Sequence, residues 1–390
     1  MSELTLKHIE HLAVTIGPRG TCTAEERQAA EYCSQVLRDL DYEVHLERFR
    51  ARRSGWAAYS ISCGLILASL LITVLLPTAA GRIIGALLAT GVSVSVLLEI
   101  AFFPSPLKWL VPAGTSQNVY ARALPRGGMK RSIVVVGHVD THRTPIAFAS
   151  PTIFRLFQRL ITIGVDAIFA LAALLILAAI DPGPLLADLA FIPGIVVAVL
   201  FIITLQPEFS RYVPGANDNA SGAAAVLALA ARLRAQPLYS TCVWLVNSGA
   251  EETTATGPLE LLKAHPELKG ASWLILDTIA GPGAGPCLIT TEQLLRPLRA
   301  DPGLLGLARS VAKARPDLGV YEHHFRGLFS EHSPLAASGC RSLAVINFTP
   351  RGELPNWHRQ SDTFANIDPQ VLDRTEEFVW EFLQHLDQQG

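Results

Sequence analysis

The chain is 390 residues long, half of them hydrophobic and 17% charged, with 32 Lys+Arg against 34 Asp+Glu and a mean hydropathy of +0.32. This composition excludes a disordered or fibrous chain. A formal charge of −2 without any long basic block leaves no electrostatic footprint for nucleic acid.

Taken in chain order, residues 1–10 are polar and charged and do not read as a cleavable export signal. Thr23-Ala24-Glu25-Glu26 has the form of a capping box, and it opens a helix on which Ala29, Cys33, Val36, Leu37 and Leu40 recur at helical spacing. A strand is predicted over 42–49. Two nearly uncharged apolar runs follow, 56–76 and 83–103, joined by the short link 77–82. After strands at 118–124 and 132–137 comes a second such pair, 160–180 and 189–205, joined by 181–188 with its Pro182-Gly183-Pro184. Each run is about long enough to cross a bilayer core, so the two pairs read as transmembrane helical hairpins. Beyond them lie helix signals at 220–234, 257–264, 302–314 and 369–386, and strand signals at 240–247, 273–276 and 341–348.

Several of the strands are apolar throughout, as strands buried on both faces must be. The expected fold is therefore α/β, a mixed and mostly parallel sheet covered by helices on both faces, with four transmembrane helices in two inserted hairpins. The soluble pieces 1–55, 104–155 and 207–390 are not domain-like singly and are expected to pack as one discontinuous domain, with 56–103 and 156–206 as the hairpins. Basic residues flank the outer hairpin ends (Arg48, Arg50, Arg52, Arg53, Lys108, Arg155, Arg159, Arg211), whereas the links hold only Arg82. By the positive-inside rule the bulk of the chain faces the cytoplasm of an inner or plasma membrane. Cys22, Cys33, Cys63, Cys242, Cys287 and Cys340 show no CxxC spacing and read as reduced thiols. Trp56 and Trp109 suit an aromatic belt, and Glu99 and Asp166, near cytoplasmic helix ends, are read as anchoring residues that reach the interface or a basic partner.

Polar groups gather just past the buried strands. Strand 132–137 runs into His138-Val139-Asp140, strand 240–247 into Gly249-Ala250-Glu251-Glu252, strand 273–276 into Asp277, and strand 341–348 leads towards His358. Asp218 sits in Gly215-Ala216-Asn217-Asp218-Asn219-Ala220-Ser221-Gly222, immediately before a helix. The C-terminal edge of such a sheet is where α/β proteins place their sites. A donor set of imidazole and carboxylate without thiolate suits Zn²⁺ and, less tightly, Mn²⁺ or Co²⁺.

In this order the motifs, with Trp357-His358 and Ser361-Asp362-Thr363 closing the set, resemble the two-zinc aminopeptidase family, to which bacterial leucyl aminopeptidases belong and to which glutaminyl cyclases and glutamate carboxypeptidase are related. Gly17-Pro18-Arg19 and the helix before Tyr42-Glu43-Val44 are similar to that family's opening. The resemblance implies two Zn²⁺ per chain, one held by His138 and Asp277, the other by Glu252 and His358, with Asp218 bridging and a cis peptide after it. It implies Asp140 as the partner of the His138 ring and Glu251 as general base. The long interval from His138 to Asp218 departs from the family pattern and is accounted for by the second hairpin. Ser330-Glu331-His332-Ser333-Pro334 carries Glu where the family usually has Asp before His332, a possible substrate-binding residue. His142, His323 and His324 have no place in the pattern and read as structural or surface residues.

The expected function is that of a membrane-anchored, zinc-dependent aminopeptidase acting on short peptides. The alternatives are a zinc amidohydrolase of N-acylated or lipid-linked amides at the bilayer, and an inactive hydrolase-like membrane scaffold. Peptide or amide substrate and lipid bilayer are the expected partners; the oligomeric state is not legible in the chain.

Overall fold

The computed structural model describes residues 2–181, 183–293 and 296–389; Met1 and Pro182, which belong to segments read above, lie outside the described residues. The chain divides into two compact units, one of Met1–Arg53, Ala113–Thr144 and Tyr212–Gly390, the other of Ser54–Pro112 and Pro145–Arg211. Residues 104–112 and 145–155, grouped above with the soluble part, fall in the second unit. For 151–155 the reason is plain: they form the first turns of a continuous helix, Pro151–Ile180.

The first unit is built on one mixed sheet, with nine strands among the described residues: β1 (Val44–Arg52), β2 (Ala113–Ala123), β3 (Arg131–His138), β4 (Thr241–Ser248), β5 (Ser272–Asp277), β6 (Cys287–Gln293), β7 (Pro297–Arg299), β8 (Tyr321–Arg326) and β9 (Arg341–Ile346). The spatial order is β1-β2-β4-β3-β5-β9-β6-β7, with β8 beside β6. The four central strands β4, β3, β5 and β9 run parallel, while β1, β2 and β4 pair antiparallel on one side and β6 pairs antiparallel with β9 and β7 on the other.

Alternation along β3 explains how both faces are covered. Ile133 and Val135 point into a core shared with the helices Gly222–Ala235 and Pro369–Gln388 through Val226, Leu229, Leu372 and Phe378. Val134 and Val136 point to the other face, among Leu261, Leu268, Trp273 and Leu335. Each fully buried aliphatic side chain of this kind contributes about 1.5–3 kcal/mol, so an apolar run with polar ends settles in the middle of a two-faced sheet. The capping box holds in half: Thr23 Oγ1 accepts from Glu26 N at 3.3 Å, but the Glu26 carboxylate accepts from Cys22 N, Ser116 Oγ and Ala250 N. All six cysteines are free thiols.

Among the described residues the second unit contains four helices long and apolar enough to cross a membrane, Trp56–Leu75, Ala79–Ile100, Pro151–Ile180 and Pro184–Phe209. They share an inner core of Ile66, Leu70, Val92, Leu171, Leu175 and Val197, and leave Leu75, Leu87, Ile180, Ile195 and Ile202 exposed. Exposed apolar side chains around a packed apolar core are what a lipid solvent requires. Small residues allow the close approach of the first two helices: a Cβ on Gly85 would lie 2.1 Å from Thr73 Oγ1 and 2.8 Å from the Ser69 carbonyl oxygen. Glu99 finds the basic partner expected of it, Lys108 Nζ at 2.7 Å, and Asp166 is exposed on its helix. Gly85→Val should therefore overpack this contact at a cost of about 1–3 kcal/mol, read as a lower Tm for the full chain in detergent; an unchanged Tm would mean the helices do not pack at this point.

Candidate metal centre

Five segments deliver polar side chains to the C-terminal edge of the parallel strands. β3 ends in His138, whose Cα registers against Ser248 at the end of β4, and β5 ends in Asp277, which registers against Ile346 of β9. Asp218 arrives from the turn that opens the helix Gly222–Ala235. That turn can come close because Gly137 and Gly222 face each other: a Cβ on Gly137 would meet the Gly222 carbonyl carbon at 2.5 Å. The Asp218–Asn219 peptide is cis, as the resemblance implies.

The side chains that the motifs singled out converge. His138 Nε2 lies 3.5 Å from Asp218 Oδ1, 3.8 Å from Asp277 Oδ1 and 3.9 Å from Glu251 Oε2. His358 Nε2 lies 3.0 Å from Asp218 Oδ2 and 3.6 Å from Glu252 Oε2. Asp218 thus faces one imidazole with each of its oxygens. Asp140 is fully buried and faces the His138 ring, with its backbone carbonyl 3.1 Å and its Oδ1 3.6 Å from Nδ1. The Asp140 carboxylate also accepts from Glu251 N, Glu252 N and Thr21 Oγ1 at 3.0, 3.2 and 2.6 Å. Asp140 therefore orients the first imidazole through its backbone carbonyl and the adjacent glutamates through its carboxylate. Ala250, Thr278 and His358 all adopt positive φ (53°, 48° and 54°), an uncommon state for residues with a side chain that is characteristic of functional turns.

Further buried groups brace the turns. The Arg19 guanidinium donates from Nε to the Val139 carbonyl and from Nη1 and Nη2 to those of Leu12, Gly17, Pro214 and Gly215, all at 2.7–2.9 Å. Burial pulls its pKa down to about 10, which leaves it charged at neutral pH. Asp362 accepts from Asn217 N and Asp218 N at 2.7 and 3.0 Å, and burial beside Asp218 pushes its carboxyl up to about 7. Asn219 donates to the Leu276 carbonyl and accepts from Gly222 N, which ties the Asp218 turn to the end of β5.

The electrostatics call for cations. Burial, then neighbouring acids, push Glu252 well above the ordinary carboxyl range; burial does the same for Glu251 and raises Asp277, in both cases against the opposing effect of His138. His138 is shifted upward because the facing carboxylates of Glu251, Asp140, Asp218 and Asp277 outweigh the effect of burial. Glu252 Oε1 and Asp277 Oδ1 are buried without a hydrogen-bond partner among the described residues. Buried carboxylates persist when paired or coordinated to metal. His138, Asp218 and Glu252 offer donor atoms that lie within 4.8 Å of one another, and so do His142, Glu252 and His358. The residues present therefore fit divalent metal.

The surroundings of two histidines add to the reading of the motifs. His332 is fully buried with Nδ1 at 2.8 Å from Ser342 Oγ and Nε2 at 3.4 Å from the Leu298 carbonyl, so its polar edge is engaged by the sheet and not by the cluster. Its neighbour Glu331 is instead the residue within electrostatic reach of His138 and Asp277; its Oε1 accepts from Ser248 Oγ at 2.5 Å, and burial pushes it up to about 7. The presence of Glu for Asp in the motif was the available signal. His142, set aside above, is buried at the cluster: its ring stacks on His358 with centroids 3.6 Å apart and planes 8° apart, and its Nε2 lies 3.9 Å from Glu252 Oε2. His323 lies on β8 with its ring against Phe348, and His324 follows it on the same strand.

Residues 201–383 match the sequence profile described as peptidase family M28. That stretch contains Asp218, Glu251, Glu252, Asp277 and His358; His138 and Asp140 lie before it, across the second hairpin. No curated protein matches the chain. Among solved structures, the chain is similar to a zinc aminopeptidase from Bacillus subtilis, with 15% identity, 98% of this chain and 94% of that one covered and a TM-score of 0.57. A glutaminyl cyclase from Fimbriiglobus ruber aligns with 16% identity, coverages of 99% and 95% and a TM-score of 0.59. A leucine aminopeptidase precursor from Bacteroides thetaiotaomicron aligns with 13% identity, coverages of 98% and 97% and a TM-score of 0.57. At these identities the likeness is one of fold.

Arg19→Lys keeps the charge but loses the planar fork that reaches five carbonyls. It is expected to destabilise the chain by about 3 kcal/mol or more, because buried acceptors are left unpaired. Urea unfolding in detergent checks this; a shift below about 1 kcal/mol would show that the carbonyls find other donors.

Proposed function

We propose, from the premise that this chain is a two-zinc aminopeptidase-family protein, a zinc-dependent metallopeptidase of family M28 by its residues 201–383, that it is a membrane-anchored aminopeptidase that removes N-terminal residues from short peptides at the cytoplasmic face. The observation that carries the reading is the convergence of His138, Asp218, Glu252, Asp277 and His358, with Glu251 beside them and held by Asp140.

In this reading His138 and Asp277 would hold one Zn²⁺, Glu252 and His358 the other, with Asp218 between them. Bound there, the ions would supply Lewis acidity towards the scissile carbonyl and the attacking water. Glu251 acts as general base: its carboxylate takes a proton from the attacking water as the C–O bond forms, and returns it to the leaving nitrogen as the C–N bond breaks. Asp140 keeps Glu251 in place through its backbone N–H and fixes the His138 ring through Nδ1. The adjacent glutamates divide the work, since a carboxylate committed to metal cannot also carry the proton.

Four bilayer-length helices and the basic residues at the outer ends of the hairpins support membrane anchoring with the catalytic part inside. The same helices favour a second reading, hydrolysis of N-acylated or lipid-linked amides presented at the bilayer, since the chemistry at the carbonyl is identical.

Full-length protein in detergent, loaded with zinc, is expected to release the N-terminal residue from dipeptides and aminoacyl amides. Glu251→Gln should lower kcat by about 10²–10⁴-fold while the metal content stays unchanged, and chelation should abolish turnover. Retained turnover in Glu251→Gln overturns the role of Glu251. Cleavage of N-acyl amino acids with peptides left intact selects the second reading. For orientation, a membrane-impermeant thiol reagent applied to intact cells should modify Asp188→Cys in the second link and leave Glu43→Cys unmodified; the reverse pattern would place the catalytic part outside.

A further inference from the structure

His142 is the one histidine at the cluster that the family order leaves without a role. It lies four residues after His138, where the chain is about to leave the first unit for the second hairpin. The return strand pins it: Val213 N donates to the His142 carbonyl at 2.9 Å, and Arg143 and Tyr212 form an antiparallel bridge. The side chain faces inward and is buried.

Its ring makes the hydrogen bond that metal-bound histidines make. Nδ1 lies 2.7 Å from the Arg143 carbonyl oxygen. A carbonyl only accepts, so Nδ1 carries the hydrogen and Nε2 carries the lone pair. A ligand histidine characteristically donates its other N–H to a backbone carbonyl or carboxylate in this way. His138 has the same arrangement, with Nδ1 at 3.1 Å from the Asp140 carbonyl. The His142 lone pair sits 3.9 Å from Glu252 Oε2, an atom that also only accepts when ionised. Two donors bound to one zinc at about 2.1 Å and near-tetrahedral angles stand about 3.4 Å apart. The spacing of His142 to Glu252 is thus close to those of the expected pairs, 3.8 Å for His138 and Asp277 and 3.6 Å for His358 and Glu252.

We propose that His142 is a further ligand of the divalent cation held by Glu252 and His358, so that this ion has two imidazoles and the carboxylates of Glu252 and Asp218. The proposal rests on the two-metal reading above. It makes the two positions unequal. The ion at Glu252 has four protein donors, the count of a closed zinc site, whereas the ion at His138 has three and keeps an open position. An ion in the plane of each ring also requires the parallel stack of His142 on His358 to open when metal binds.

The test is zinc affinity, measured on the full chain in detergent by titration against a chelator, together with X-ray absorption of the two-zinc form. Wild type should bind two ions, with about 1.5 imidazoles per ion instead of about 1. His142→Ala and His142→Phe should both weaken one ion by about 100-fold or more and leave the other unchanged. Phe keeps a flat ring against His358 but offers no lone pair. If His142→Phe binds both ions as tightly as wild type, or absorption counts about one imidazole per ion, His142 is only a stacking partner and the proposal is overturned. His138→Ala and His358→Ala serve as controls. Should neither of them lose an ion, the two-metal reading fails, whatever His142 does.

Discussion

The constraint that governs the first unit is the burial of acid. Asp140, Asp218, Glu251, Glu252, Asp277 and Glu331 lie behind the ends of the parallel strands with most of their surface removed from water. Mutual repulsion and lost hydration push several of them towards the neutral form. A fold tolerates such a cluster only where something positive repays the desolvation. The described residues place two or three imidazoles there, and the donor geometry leaves divalent metal as the natural counter-charge. The positive φ at Ala250, Thr278 and His358 belongs to the same economy, because these residues aim the chain at the cluster.

Holding that cluster together across a large insertion is a separate problem. The chain leaves the first unit after Thr144 and re-enters at Tyr212, between His138 and Asp218. Arg19 answers it by binding the Val139 carbonyl on one side and those of Pro214 and Gly215 on the other. The Arg143–Tyr212 bridge and the Val213–His142 hydrogen bond close the neck. With the two ends clamped, a hairpin can be added without moving His138 relative to Asp218. Glu26 does comparable work from the opposite side: it accepts from Ala250 N just before the glutamate pair, and burial pushes its carboxyl up to about 8.

The central strands and their polar ends were legible because a strand buried on both faces must be apolar for its whole length and must stop where a charged group begins. β3, β4, β5 and β9 meet that condition over their inner residues, 133–136, 242–246, 273–276 and 343–346. β6, β7 and β8 do not: Cys287–Gln293 turns polar halfway, Pro297–Arg299 is three residues long, and Tyr321–Arg326 carries charge at an edge, where one side faces solvent. The four bilayer-length helices were plain from composition alone, although three of them begin ahead of the apolar run, at Ala79, Pro151 and Pro184, and the second stops at Ile100, short of its end.

By itself the sequence determined the sheet core, the membrane-length helices and which polar groups stand just past the strand ends, because each follows from local composition or from the order of short motifs along the chain. Only the tertiary structure decided what His332, Glu331 and His142 face. Which way a side chain points beyond a strand end depends on hydrogen bonds from distant segments, such as Ser342 to His332, Ser248 to Glu331 and Val213 to His142. No local pattern encodes such contacts, since they exist only once the strands are side by side.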